Sequence, residues 1–557
     1  MRKSCKERQQ EELEDFCNNG CTQTNETLVV AALQKLAADC ANITAILAEI
    51  NGNHHIPSND PGFGPQNPNS TTGGGSAPNG GGIGPGNGVG PSPNNIAFSG
   101  QCGPLDSNTD KNPYCCGVPG AVDPSLTNSN IGACNWSFSS FDQALASVYS
   151  GDHNGAKAQF RWVKLEGTKD NPTNTDCSTD GDCTSPEVCG TIFRQFIPSP
   201  NDFLSGKCGV QLGYWSANEI CATSLNTTSN AFLKCSTGNN RDLYKCVGTA
   251  AQSCYTPGAL ESCCGCVNWK EEKGLSVAVG TDNQGHPFTN LCVKQNPIWQ
   301  SKILESVLWL KSACPSAYVY PFDDMSSTFK CYSKADPNNL SNNNNIVNYL
   351  ITSCPEIGMT PTTPPQFVDD QTRVFKFYNN CPYTVWPAMV GGTAKHKGFD
   401  PLLNDPQDTC SLDSECFPGA TCIAPQYSSI KKCFWTNPKP QGGNYEVPQG
   451  GSVEFHMPLN PSDTYGIAWS GAMTVRTGCP QNPTEKFCDV ADCRGFNLTA
   501  VNSFDCIPTQ GFTQPATQAE IAVKIHDADY YDVEIINGVS VPLQMDPCVG
   551  SGHCFVS

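Results

Sequence analysis

A chain of 557 residues has room for roughly two to four ordinary domains, yet only 15% of it is charged and it carries 51 Gly, 43 Pro and 34 Cys, so much of it must be loop. Its 52 acidic against 33 basic residues give a formal charge of −19, which argues against nucleic acid or an anionic membrane as partner and suits neutral or cationic ones. The cysteines are even in number and run from Cys5 to Cys554, which predicts a dense disulfide framework completed in an oxidising compartment.

The chain begins "MRKSCKERQQEELEDFC", basic at its start but without the apolar stretch of a secretory signal. Three accounts reconcile this with the cysteines: a start that is not the natural one, unconventional export, or a large virus that oxidises its own particle proteins. The expected location is extracellular or a virion surface. No apolar run reaches about 18 residues, so no membrane span is expected. The N-x-S/T sites at Asn25, Asn42, Asn69, Asn135, Asn226, Asn339 and Asn497 are compatible with a secreted glycoprotein.

Residues 1–50 read as a helical segment for self-association or anchoring. Val29, Leu33, Leu36, Cys40, Ile43, Leu47 and Ile50 follow the a/d spacing of a left-handed coiled coil, and Asn25 can cap it. A single amphipathic helix lying on its own domain fits the same pattern. In a coiled coil, Cys40 lies in the seam as an interchain disulfide candidate. Leu13, Phe16 and Cys17 suggest a short second helix before it. Residues 51–97 have almost no apolar side chains to bury and read as a Gly/Pro/Asn-rich linker, on the order of 150 Å if fully extended.

Beyond residue 97, short alternating stretches such as "RVFKFY", "GSVEFHM", "AEIAVKI" and "YYDVEII" are separated by Gly, Pro, Asn and Asp clusters, an all-β signature. Two inserts repeat each other: "CSTDGDCTSPEVC" at 177–189, closing at Cys208, and "CSLDSECFPGATC" at 410–422, closing at Cys433. Each has the cysteines for a two-disulfide knot. Neither has the paired Cys-x2-Cys spacing or the nearby His of a zinc site, so no metal is expected. The "CCGC" at 263–266 reads the same way, as staples between neighbouring strands or loops.

Several motifs together resemble the thaumatin-like family. "TRVFKFYNNC" at 372–381, then "PYTVWPA", "AWSGAMTVRTGC", "DVADCRG", "PATQAEI" and "YYDVEIINGVSVPLQM" resemble that family's first half in its own order. "SACPSAYVYPFDDMSSTFKC" at 312–331 resembles its last conserved segment, with "YLITSC" at 349–354 as the final strand. Upstream, "PYCCGVPG", "GACNWSF", "LGYWSANEIC" and "SCYTPGALESCCGCVNW" resemble its second half. The resemblance spans about residues 98–557 and is firmest over 299–354 and 372–547. It implies an all-β, disulfide-rich thaumatin-like β-sandwich with cysteine-knot inserts at 177–208 and 410–433, in circularly permuted order. Residues 98–354 supply the second half, 355–371 the joining linker and 372–557 the first half. Bridging termini that lie side by side costs little loop entropy. Halves completed between neighbouring chains, as in a swapped polymer, fit the same order; two tandem half-modules would leave too much open strand edge.

The resemblance also implies pairings and a site. Cys354 pairs with Cys381, Cys479 with Cys488 and Cys493 with Cys506; Cys331 and Cys314 are matched to Cys548 and Cys554, with Cys115 and Cys116 as competitors. The family's acidic cleft, associated with β-1,3-glucan binding and in some members weak endo-glucanase activity, maps onto Arg476, Glu520, Asp532 and Asp323. Its fifth position falls on Asn537, where the family usually has Asp. Glycoside hydrolysis needs one protonated and one ionised carboxyl, and Glu520 and Asp532 are the candidate catalytic pair. Loss of the carboxylate at 537 removes a charge that would help hold a neighbour's proton, so sugar binding survives better than catalysis. The alternative is a structural ion network of Arg476, Glu520 and Asp532. No cofactor is implied.

Two functions follow. The first is a structural or adhesive component of an extracellular or virion-surface fibre, a homo-oligomer or polymer that also binds glycans. The second is a secreted β-1,3-glucan-binding or weakly glucan-hydrolysing protein of the defence type. The N-terminal heptads and linker favour the first, and no enzyme activity is required by it.

Overall fold

The computed structural model describes residues 114–117, 138–193, 203–222, 267, 269, 303–320, 323, 327, 329–333, 347–356, 372–397, 409–425, 428–463, 466–495, 502–524, 529–549 and 553–554. The expected N-terminal helix with Cys40, the 51–97 linker, the "CCGC" staple and most of the 355–371 joining segment lie outside them.

In chain order, β1 (Tyr114–Gly117) is followed by helices α1 (Phe138–Val148) and α2 (His153–Phe160), then β2 (Arg161–Val163) and the two-residue strands β3 (Gly167–Thr168) and β4 (Asn171–Pro172). Next come β5 (Val188–Phe193), β6 (Phe203–Gly209), β7 (Gln211–Tyr214), and helices α3 (Ala217–Ala222) and α4 (Glu305–Ala313). The remaining strands are β8 (Phe329–Ser333), β9 (Val347–Ser353), β10 (Thr372–Asn379), β11 (Trp386–Gly391), β12 (Ala420–Ile423), β13 (Lys432–Trp435) and β14 (Ser452–Pro458). The last are β15 (Ile467–Arg476), β16 (Gln518–Lys524), β17 (Asp529–Glu534), β18 (Leu543–Val549) and β19 (His553–Cys554).

Two large sheets interleave the regions before and after residue 355. One has the order β1-β8-β17-β16-β15-β11, the other β14-β10-β9-β18-β19. In the second, β9 runs parallel to β10 and antiparallel to β18. Every β9 residue is buried, as expected of a central strand covered on both faces. Its polar side chains are satisfied in place: Asn348 accepts the Val374 N–H at 2.8 Å, and the Ser353 hydroxyl donates to the Asn379 side-chain oxygen at 3.1 Å. Cys354 and Cys381 close the β9–β10 junction with a disulfide inside the same chain. Tyr349 stacks on Phe375 at 5.6 Å and meets Tyr531 edge-on at 5.4 Å, joining the two sheets through an aromatic core.

A smaller sheet, β6-β5-β2-β7, packs with the helices. The alternating β pattern gave no notice of α1, α2 or α4. They are short, and tertiary contact rather than propensity holds them: Phe141 of α1 sits edge-on to Trp309 of α4 at 6.3 Å and 5.4 Å from the Tyr214 ring. Among the described residues no helix is long and apolar enough to cross a membrane.

The two inserts are built alike. Cys177–Cys189 and Cys183–Cys208 close the first, and Cys410–Cys422 and Cys416–Cys433 the second. Asp180 accepts the Cys189 N–H at 3.1 Å, as Asp413 accepts that of Cys422 at 2.8 Å. Asp182 likewise accepts from Ser178 and Glu415 from Ser411. The first insert is more than a knot, because its β5 and β6 form half of the small sheet.

The small sheet meets the segment after β17 in a tight seam. Tyr214 and Val539 exchange both backbone hydrogen bonds, at 2.7 and 2.9 Å. A Cβ on Gly213 would stand 1.9 Å from the Val539 oxygen, so only glycine permits this approach. Gly538 is equally constrained, with φ +108° and Tyr214 oxygen 2.6 Å from where a Cβ would lie.

Candidate functional site

Strands β15, β16 and β17 lie side by side with Ala472 opposite Glu520, Glu520 opposite Asp532, and Gln518 opposite Glu534. Residues directly opposite share a face, and alternate residues along a strand do too. Met473, Val475, Ala519, Ile521, Tyr531 and Val533 therefore point into the sandwich core, where all are buried. The other face carries Thr474, Arg476, Gln518, Glu520, Asp532 and Glu534. Tyr214 pairs with Val539 just past β17, and the charge of Glu219 of α3 acts on Glu534.

Glu520 is half-buried, Asp532 is 2% exposed and Glu534 is 1% exposed. Glu520 and Glu534 lie diagonally on neighbouring strands of the same face. Burial pushes the Glu520 carboxyl up to about 7. Burial, and after it the charges of Glu520, Asp532 and Glu219, push Glu534 well above the ordinary carboxyl range. Gln518 Nε2 donates to Glu534 Oε2 at 2.9 Å, and Asn537 Nδ2 donates to Oε1 at 3.1 Å. At the far end of the same face, the Lys524 ammonium lies over the Tyr530 ring at 4.9 Å.

The other expected cleft residues have different surroundings. Arg476, fully buried at the end of β15, donates to the backbone oxygens of Trp386 at 3.1 Å, Phe504 at 2.8 Å and Pro387 at 3.4 Å. Its guanidinium lies 5.0 Å from the Tyr445 ring centre. Burial lowers it to about 10, which leaves it cationic at neutral pH. Among the described residues it makes no ion pair with a carboxylate, so its geometry is that of a clamp tying β11 and the 479–506 loops to β15. Those loops are closed by Cys479–Cys488 and Cys493–Cys506. Asp323 is 2.7 Å from the Lys311 ammonium in a buried ion pair, and accepts from Trp269 Nε1 at 2.9 Å and the Ser327 hydroxyl at 3.1 Å. Asn537 stands beside the carboxyls as a donor rather than as a charge.

Glu534 and Glu219 were missed in the sequence. Glu534 was legible in principle: in "YYDVEII", period two puts residues 532 and 534 on one face. Glu219 had no local signal, since more than three hundred positions separate it from Glu534. The sulfurs of Cys177, Cys183 and Cys208, and of Cys410, Cys416 and Cys422, cluster closely enough to suggest a metal. All six are bound in disulfides, so none is the thiolate that a metal would need. Cys314 and Cys548 are each disulfide-bonded as well.

The Thaumatin family model matches residues 422–557, the stretch that contains Glu520, Asp532, Glu534 and Asn537. That region of the chain belongs to the thaumatin family. Among similar proteins, thaumatin-like protein 1 of Prunus persica is 34% identical over 203 residues, 36% of this chain and 59% of its own length. Thaumatin-like protein 2 of Prunus persica is 27% identical, and a glucan endo-1,3-beta-glucosidase of Prunus avium 26%, each over 180 residues, 32% of this chain and 50% of the relative. The chain thus spans about half the length of these curated relatives. No solved structure matches it. The thaumatin-like region is disulfide-rich and all-β in its two main sheets, in keeping with an oxidising, extracellular setting.

Proposed function

We propose that the polar face of β15–β17 is the floor of a cleft that binds β-1,3-glucan, in a secreted protein of the defence type, with slow hydrolysis by Glu520 and Asp532 as its accompanying reaction. The observation that carries this reading is the directly opposed pair Glu520 and Asp532, one half-buried with a carboxyl near 7. In hydrolysis, Glu520 would give its proton to the glycosidic oxygen, and ionised Asp532 would serve as base or nucleophile. The similarity to a protein named as a glucan endo-1,3-beta-glucosidase supports the choice of polymer.

We read the chain order as a permutation of the family's, with its closing strand β9 preceding its opening strand β10. Their parallel pairing and the Cys354–Cys381 bond within one chain support a self-contained module over a swapped polymer. The fibre reading draws on residues 1–97 and gains no support from the described ones.

Retention of the full chain on insoluble β-1,3-glucan tests the reading, against the same chain carrying Glu520→Gln with Asp532→Asn. The expected result is retention by the parent and its loss in the double variant. Equal retention of both, or none by the parent, removes the proposal.

A further inference from the structure

The two inserts close alike, yet their equivalent aspartates keep different company. Asp413 accepts the Cys422 N–H and makes no ion pair among the described residues. Asp180 accepts the Cys189 N–H in the same way and also pairs with Arg161, at the start of β2. The second insert shows that the knot needs no arginine, so this pair serves something beyond the knot. Arg161 is buried and reaches both ways: one guanidinium nitrogen meets Asp180, while Nε, at 3.0 Å, and the remaining nitrogen take the two oxygens of Asp142 on α1. A forked guanidinium holds a carboxylate in one orientation. Asp142 in turn accepts the Tyr214 hydroxyl at 2.6 Å, and the Tyr214 backbone exchanges both hydrogen bonds with Val539. From Val539 the bonds run into the floor of the cleft. Ser540 and Thr517 each donate a backbone N–H to the other's hydroxyl oxygen, at 2.9 and 3.0 Å, and the Thr517 backbone oxygen accepts the Thr474 hydroxyl at 2.6 Å. On the other side of Val539, Asn537 donates to Glu534 at 3.1 Å. Thr474, Thr517, Asn537 and Ser540 are all buried.

We propose that Arg161 is a positioning residue of the cleft: with Asp142 and Asp180 it fixes Tyr214, and through the Tyr214–Val539 pairing it fixes the turn that carries Asn537, so the disulfide-closed first insert braces the floor on which glucan binds. The idea rests on the cleft reading and deepens it. Arg161 touches neither the floor nor a sugar, and acts only through Tyr214. Within itself the turn is closed by the Gly538 N–H on the Ile535 oxygen at 3.1 Å; the two bonds to Tyr214 add the outside anchor. Lysine is no substitute at 161, because a single ammonium on a flexible stem does not reproduce the fork that grips two carboxylates. The inserts thus differ in purpose as well as in charge partner: the first is a brace for the cleft, and the second is a closed knot.

The test is a matched pair of variants of the full chain, Asp180→Asn and Asp413→Asn. Each keeps an acceptor for the cysteine N–H of its own knot, and only the first takes a charge away from Arg161. Amide hydrogen exchange at Val539 and Thr517 is the first readout and needs no sugar. Asp180→Asn, Arg161→Lys and Tyr214→Phe should speed exchange at these amides, and Asp413→Asn should not. Asp180 and Tyr214 act along one line of contacts, so their double variant should fall short of the sum of the single effects. Retention on insoluble β-1,3-glucan is the second readout. Asp180→Asn and Tyr214→Phe should weaken it by about two- to thirtyfold, the span expected of changes along a coupled network, with Asp413→Asn matching the parent. Unchanged exchange at Val539 in Asp180→Asn and Tyr214→Phe overturns the proposal, as does an equal change in both aspartate variants. Faster exchange with retention unchanged overturns the positioning role. Faster exchange in a protein whose parent is not retained upholds the brace and removes the cleft reading.

Discussion

Replacing Asp323 separates a cleft ligand from a structural clamp. Its carboxylate is 2.7 Å from the Lys311 ammonium, both side chains are at most 1% exposed, and Trp269 and Ser327 donate to it. Asp323→Ala leaves a buried ammonium without its counter-charge, which costs about 3–5 kcal/mol when one partner of such a pair is removed. Taking about 4 kcal/mol, and about 2–4 °C per kcal/mol for a domain of this general size, Tm should fall by roughly 8–16 °C. Burial already lowers the Lys311 pKa, and Asp323 is what opposes that, so the variant sheds part of the cost by neutralising the lysine. The companion variant Lys311→Met with Asp323→Leu removes both charges and should recover most of the loss. Calorimetry on the full chain measures the first quantity, and glucan retention below the transition measures the second. A Tm change under about 2 °C, far below the cost of an orphaned buried charge, together with lost retention would refute the clamp and return Asp323 to the cleft.

Other outcomes follow from the same geometry. Glu520 rises from 4.5 to about 7 on folding, so the folded state binds more protons across that window; stability should fall as pH rises through it, and Glu520→Gln should flatten that decline in Tm against pH. Asp182 and Glu415 are held low by the backbone N–H groups of Ser178 and Ser411, so they act with the opposite sign: their contribution is present above the ordinary carboxylate range and lost as pH falls. Gly213→Ala forces a methyl into the Val539 oxygen and should cost about 1–3 kcal/mol by overpacking, with weaker glucan retention because α3 is no longer fixed over the sheet; unchanged melting and retention would count against the seam. Cys410→Ala with Cys422→Ala opens a loop of sequence separation 12 and should cost about 3 kcal/mol, with the earliest proteolytic cuts between residues 409 and 433.

What the sequence determined was local and periodic. Strict alternation fixed the strands from 372 onward, because one face of each must be apolar to meet the opposing sheet. The repeated Cys-x5-Cys-x5-Cys spacing marked both inserts, and the motifs around Glu520 and Asp532 marked the carboxyls that β16 and β17 hold directly opposite each other. The tertiary structure alone decided the company each charge keeps. Arg476 and Asp323 belong to the same motif set as Glu520, yet backbone carbonyls take up the first and Lys311 the second. Glu219 reaches the site from far along the chain, through a seam that depends on the missing side chain of Gly213. A charge's state depends on its burial and on neighbours only a few ångströms away, and neither quantity is local in sequence.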